Sequence, residues 1–171
     1  MKRSIVFTAL LTGFIISVFA QSAGDFEYIT ENGSITITGY KGSEMNITIP
    51  EKINGLPVSA IGARAFHRLR LTGINFPNTI TVIGNNAFSY NRLTKLTFPE
   101  SLVTIDYMAF AKNRLTEINL PGSITFIGIG AFTENRIKNV DLPVSLIYIG
   151  DRSFTRNYLN TVIVSNSVGW S

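Results

Sequence analysis

The apolar positions of this 171-residue chain fall into two phrases that alternate along most of its length. The first is L-x-x-L-x-F, written by Leu93, Leu96 and Phe98. It returns as Leu71-Ile74-Phe76, Leu115-Ile118-Leu120, Ile137-Val140-Leu142 and Leu159-Val162-Val164. Its end alternates apolar and polar residues, the period of a short strand with one buried face. Pro77, Pro99, Pro121 and Pro143 close four of these strands, since proline has no N–H for a ladder. Asn46-Ile47-Thr48-Ile49-Pro50 reads as the same strand ahead of them. The second phrase follows each proline: Ile80 and Ile83, Leu102 and Ile105, Ile124 and Ile127, Leu146 and Ile149, each followed by an Ala-Phe or Ser-Phe pair. It predicts an extended arm and then a tight helical turn.

Both phrases keep one spacing. Ala65-Phe66, Ala87-Phe88, Ala109-Phe110, Ala131-Phe132 and Ser153-Phe154 stand 22 residues apart, as do the prolines, the isoleucines from Ile61 to Ile149, and Asn91, Asn113, Asn135 and Asn157. The unit reads P-x-[ST]-[IL]-x-x-I-[GD]-x-x-[AS]-F-x-x-N-[RY]-[LI]-x-x-[LIV]-x-[FLV]. Four full repeats cover 78–99, 100–121, 122–143 and 144–165, and a longer unit with an insertion around Asn54-Gly55 covers 51–77. One unit buries too little apolar surface to offset the entropy of ordering it, so the five must stack into one continuous core.

The ends differ from the array, as a stack facing water requires. Residues 21–50 hold a predicted hairpin, Phe26–Thr30 and Ser34–Thr38 about Asn32-Gly33, that serves as an N-terminal cap before the first strand. At the other end Val162, Ile163 and Val164 lead into a tail, 166–171, with Val168 and Trp170 but no polar cap. That end is either covered by the tail or used for self-association.

The Ile83-Gly84, Ala87-Phe88 and Leu93-to-Pro99 phrases, repeated in phase, make residues 35–165 resemble the BspA-like, Treponema-type leucine-rich repeats. The family's Asn or Cys after the strand is Thr79, Ser101, Ser123 or Ser145 here, and the cysteine frequent after Ala-Phe is the asparagine series. The resemblance implies a leucine-rich-repeat solenoid: short parallel strands, one per repeat, with extended arms and short helical turns. It further implies an exported or surface protein, with adhesive roles in several members and no fixed ligand.

Composition narrows this picture. Lys2 and Arg3, an apolar run from Ile5 to Phe19 and small residues at Val18 and Ala20 read as a signal peptide over 1–20, with an uncleaved anchor as the alternative. No later stretch is apolar enough to span a bilayer, so a secreted, periplasmic or cell-surface location in a bacterium is expected. Without cysteine there is no disulfide and no thiolate site. The formal charge of +4 falls to +2 once Lys2 and Arg3 are removed, leaving 13 basic against 11 acidic residues, which gives no reason to expect a nucleic acid partner.

Candidate function lies on the surface. If the strands' apolar positions face inward, the intervening ones form two exposed columns: Asn46, Gly73, Lys95, Glu117, Asn139 and Thr161, then Thr48, Asn75, Thr97, Asn119, Asp141 and Ile163. They read either as a solvated face or as a face that grips a protein or glycan, with Lys95, Glu117, Asn119, Asn139 and Asp141 as contact residues. Arg70, Arg92, Arg114 and Arg136, one per repeat, read either as splayed surface cations or as a strip for an acidic ligand. The asparagine series suits turns, the phenylalanines suit the core, and the single histidine, His67, lacks metal-binding company. No catalytic motif occurs, so neither an enzyme nor a cofactor is expected.

Overall fold

The computed structural model describes residues 23–165. The expected leader and tail, with Val168 and Trp170, lie outside the described residues. The chain opens with a hairpin, β1 (Phe26–Glu31) and β2 (Ser34–Tyr40), turned at Asn32 and Gly33 with φ of 49° and 74°. Two left-handed residues in succession define the turn that suits the twist of paired strands, and Asn-Gly supplies them. β3 (Asn46–Thr48) follows. The insertion around Asn54-Gly55 is a second small hairpin, β4 (Lys52–Ile53) against the start of β5 (Leu56–Ile61).

From there the chain winds as a right-angled coil of turns, each repeating its predecessor 22 residues later. β7 (Val82–Ile83), β8 (Thr104–Ile105), β9 (Phe126–Ile127) and β11 (Tyr148–Ile149) join β2 and β5 in one parallel ladder, with Ile37, Ile61, Ile83, Ile105, Ile127 and Ile149 in register. The continuous sheet therefore lies on the arm after each proline, on the flank opposite the L-x-x-L-x-F segments. On that second flank, pairing comes in pieces: β3 with β6 (Gly73–Asn75), a single Thr97–Asn119 bridge, and β10 (Asn139–Leu142) with β12 (Thr161–Val164). Among the described residues this flank is unpaired between residues 75 and 97 and again between residues 119 and 141.

The Ala-Phe segment is a pair of turns rather than a helix. Arg64, Asn86, Met108, Gly130 and Arg152 are left-handed, with φ between 49° and 63°, and so are Arg68, Tyr90, Lys112, Glu134 and Arg156, at 55–60°. A left-handed residue at both ends of a five-residue segment cannot continue a helix. Each non-glycine costs about 1 kcal/mol or more in this conformation. Bonds between turns hold them there: Asn86 N–H donates to Tyr107 O, Met108 N–H to Ile129 O, and Phe88 N–H to Ala109 O.

Within the coil, Phe66, Phe88, Phe110, Phe132 and Phe154 stack face to face, with ring centroids 4.9, 5.3, 5.6 and 5.3 Å apart. Phe26 and Tyr40 of the hairpin close the top of this column, Tyr40 at 5.9 Å from Phe66. The hairpin thereby supplies a first turn without an Ala-Phe pair, and six turns share the core where the sequence pattern shows five.

The asparagines tie the turns together. Asn113 is buried; its Oδ1 accepts from Leu93 N–H at 3.1 Å, and its Nδ2 donates to Phe88 O at 2.9 Å and Phe110 O at 3.1 Å. Asn91, Asn135 and Asn157 repeat the same three bonds. A hydroxyl series does similar work on the other side: Thr79, Ser101, Ser123 and Ser145 each donate at 2.7 Å to the carbonyl 21 residues earlier. No buried side-chain nitrogen or oxygen among the described residues lacks a partner.

Two measurements test this account. Asn113→Ala leaves a buried N–H and a carbonyl underbonded and is expected to cost about 2–3 kcal/mol in urea unfolding. Asn139→Ala, on the exposed face, should stay within about 0.5 kcal/mol. Equal effects would remove the asparagine from its coupling role. The second concerns His67, whose Nδ1 lies 2.7 Å from Ser89 Oγ. Burial, then the Arg64 and Arg68 charges, hold its pKa below 6.5. Below pH 6.5 the unfolded chain takes up a proton that the folded chain resists, so stability is lost as the pH falls through the folded value and is fully present above 6.5. The His67 ring should titrate by NMR below 6.5, and His67→Gln should flatten the acid-side stability slope; a midpoint at or above 6.5 contradicts the assignment.

Candidate binding surface

Along the edge between the turn and the second flank, side chains alternate out, in, out: Tyr90 is exposed, Asn91 buried, Arg92 exposed, Leu93 buried. The buried asparagine thus sets two outward columns on one edge. The nearer to the strand is the arginine series. Arg92 N–H donates to Leu71 O at 2.8 Å, Arg114 N–H to Leu93 O at 2.9 Å and Arg136 N–H to Leu115 O at 2.8 Å, which places one arginine per turn in line, and Tyr158 continues the line. All four arginines, Arg70 included, are exposed, and none forms an ion pair among the described residues.

The second column, Arg68, Tyr90, Lys112, Glu134 and Arg156, was not legible as a series because the residue type changes at every step. Its members contact one another from turn to turn. Arg68 and Lys112 flank the Tyr90 ring at 4.6 and 4.7 Å from its centroid, and Glu134 Oε1 bridges Lys112 at 3.6 Å and Arg156 at 3.2 Å. The only signal in the sequence is the alternation of cation and partner at 22-residue steps. A surface cavity of about 420 Å³ lies beside its far end, lined in part by Glu134, Arg152 and Arg156.

The predicted face columns are exposed from end to end, apart from a half-buried Gly73. Lys95 and Glu117 neutralise each other at 3.0 Å, and Asn75 Nδ2 donates to Thr48 Oγ1 at 3.1 Å. Asn119, Asn139 and Asp141 stand open on the same face. The face is not one flat sheet: at the break after β6 it opens into two adjoining grooves of about 270 and 310 Å³, edged by Asn75, Lys95 and Thr97. The structure therefore brings the face residues together, and it sets the arginine line beside them as a separate edge.

The outer side of the continuous ladder is partly apolar, which the sequence pattern did not show. Val82, Val103, Ile147 and Tyr148 are exposed there, and Phe126 stacks on Tyr148 at 4.7 Å. His67 and Ser89 form the one histidine–hydroxyl contact, but Ser89 is fully buried, so no substrate reaches its oxygen. Among the described residues no group of three or more acidic, histidine or cysteine side chains is placed to hold a metal ion, and no helix is long and apolar enough to cross a membrane.

The "BspA type Leucine rich repeat region" matches residues 59–169 in six copies. A leucine-rich repeat protein of Treponema pallidum superposes with a TM-score of 0.79 at 30% identity, over 82% of this chain and 69% of that one. One from Bacteroides ovatus gives 0.69 at 26% identity, over 81% of this chain and 39% of the other. One from Bacteroides capillosus shares the fold, at 0.57 and 24% identity, over 85% and 97%. No curated protein sequence matches the chain. Leucine-rich repeat solenoids are generally non-enzymatic binding or structural modules. On the matched repeats and the coil they build, this chain belongs to the BspA-type leucine-rich repeat family.

Proposed function

We propose that the chain is an exported bacterial binding or adhesion module, without catalytic activity, that docks a protein or glycan ligand on its repetitive polar face. The observation that carries this reading is the face itself: two columns of exposed amide, hydroxyl and charged side chains, held at one-turn spacing by a rigid core. The side chains of Asn119, Asn139 and Asp141 offer donors and acceptors that have no partner among the described residues, and the grooves at residues 73–97 add relief in which a ligand gains shape. Export is supported by the leader pattern of residues 1–20.

A second reading, a self-associating envelope protein, is favoured by the open end of the coil. Gly130, Phe132 and Glu134 donate their N–H groups to Asp151, Ser153 and Thr155 of the next turn. Arg152, Phe154 and Arg156 have no such turn beyond them among the described residues. Around them Ile147 is 86% exposed, Val164 61% and Val144 59%, a large apolar area for a solvated end.

Arrays of matrix proteins and neutral glycans probed with the chain test the first reading. Asn119→Ala, Asn139→Ala and Asp141→Ala together should weaken the best ligand at least tenfold, about 1.4 kcal/mol; unchanged binding removes the polar face. Sedimentation at rising concentration tests the second. A mass that increases for the chain and stays monomeric for Ile147→Asp supports association through that end, and a strict monomer throughout sinks it.

A further inference from the structure

We infer that the edge beside the polar face is a site for a linear anionic glycan, a sulfated or uronate-bearing chain laid along the solenoid axis. This rests on the binding-module reading but uses other residues. The two outward columns of this edge hold ten positions, of which seven are cations and one, Glu134, is an anion. Glu134 occupies Lys112 and Arg156, and Arg68 rests on the Tyr90 ring, so those charges have partners inside the chain. Arg92, Arg114 and Arg136 have none among the described residues, although Lys95, a few residues away, is neutralised by Glu117. Glu117 and Glu134, the carboxylates that form ion pairs beside this edge, are held by other cations, and the line is left uncompensated among the described residues.

Geometry then selects the ligand. The stacked phenylalanines give a rise of 4.9–5.6 Å per turn, so the guanidinium stems leave the edge at that interval. Neighbouring like charges at about 4 Å in water repel by about 1 kcal/mol, a modest cost that an anion placed along the line would reverse. An extended acidic peptide presents same-side residues every two positions, or about 6.6 Å, out of step with the turns. Successive sugars of a 1,4-linked pyranose chain face opposite sides, so sulfate or carboxylate groups on one side recur at every second sugar, close to two turns, and can meet alternate arginines of the line. Guanidinium suits this role because its planar fork binds two oxygens at once. A strip two columns wide on a narrow edge also matches a thread better than a lipid surface or a duplex.

The probe is heparin, titrated against the chain at several salt concentrations, with unsulfated dextran and duplex DNA as comparisons. Heparin should bind with an affinity that falls steeply with salt, and dextran should not bind. Arg92→Ser, Arg114→Ser and Arg136→Ser together should lower heparin affinity at least thirtyfold and reduce the log–log salt slope by about two to three, one released counterion per lost contact. The polar-face triple variant should keep heparin affinity within about twofold, so the two readings stand or fall separately. The inference is overturned if heparin fails to bind, if the arginine variant keeps the wild-type slope, if the polar-face variant loses heparin equally, or if duplex DNA binds as tightly.

Discussion

One amide in each of four successive turns, Asn91, Asn113, Asn135 and Asn157, holds this coil in register. Each bonds the N–H of the residue that opens the L-x-x-L-x-F segment one turn before and the carbonyls of two successive phenylalanines, so it is the contact through which one of these turns recognises the turn before it. The amide offers two N–H donors and an acceptor oxygen on separate atoms of one short side chain, whereas serine has a single donor and ionised aspartate has none. With turns locked at this spacing, the phenylalanine rings stack nearly parallel and the isoleucine ladder stays in line. Apolar burial supplies the bulk of the stabilisation, and the amide decides where the next turn lands.

The left-handed residues and the surface columns both follow from that lock. Ten positions in the turns take a conformation that disfavours side chains, and only one of them, Gly130, is glycine. The strain persists because carbonyls of the adjacent turn hold the N–H groups on either side. A locked register also turns any residue into a column. Where the column's members differ, as from Arg68 to Arg156, opposite charges and a ring settle the interaction among themselves. Where they are alike, as from Arg70 to Arg136, the charge meets no partner among the described residues.

The two ends show the same rule by contrast. At the N-terminus, hairpin strand β2 accepts β5 while Phe26 and Tyr40 cover the ring stack. At the other end of the described residues the last turn keeps the isoleucine, phenylalanine and asparagine of its predecessors but meets no successor there: Ile149, in line with fully buried isoleucines, is 43% exposed. The same side chain is core or surface according to whether another turn follows.

The sequence by itself determined the period, the inward and outward positions, the hairpin at Asn32-Gly33 and the arginine line, because each of these is carried by residue type at a fixed step. It did not reveal that the hairpin adds a sixth turn, since Tyr40 replaces the Ala-Phe signal there. Nor did it show that the continuous ladder runs through the arms after the prolines while the L-x-x-L-x-F flank pairs only in pieces. Both depend on how closely neighbouring turns approach one another, which no local pattern states. The Arg68-to-Arg156 column and the left-handed turns likewise came only from the tertiary structure: their partners lie 22 residues away, and backbone groups bond without regard to the residue that bears them.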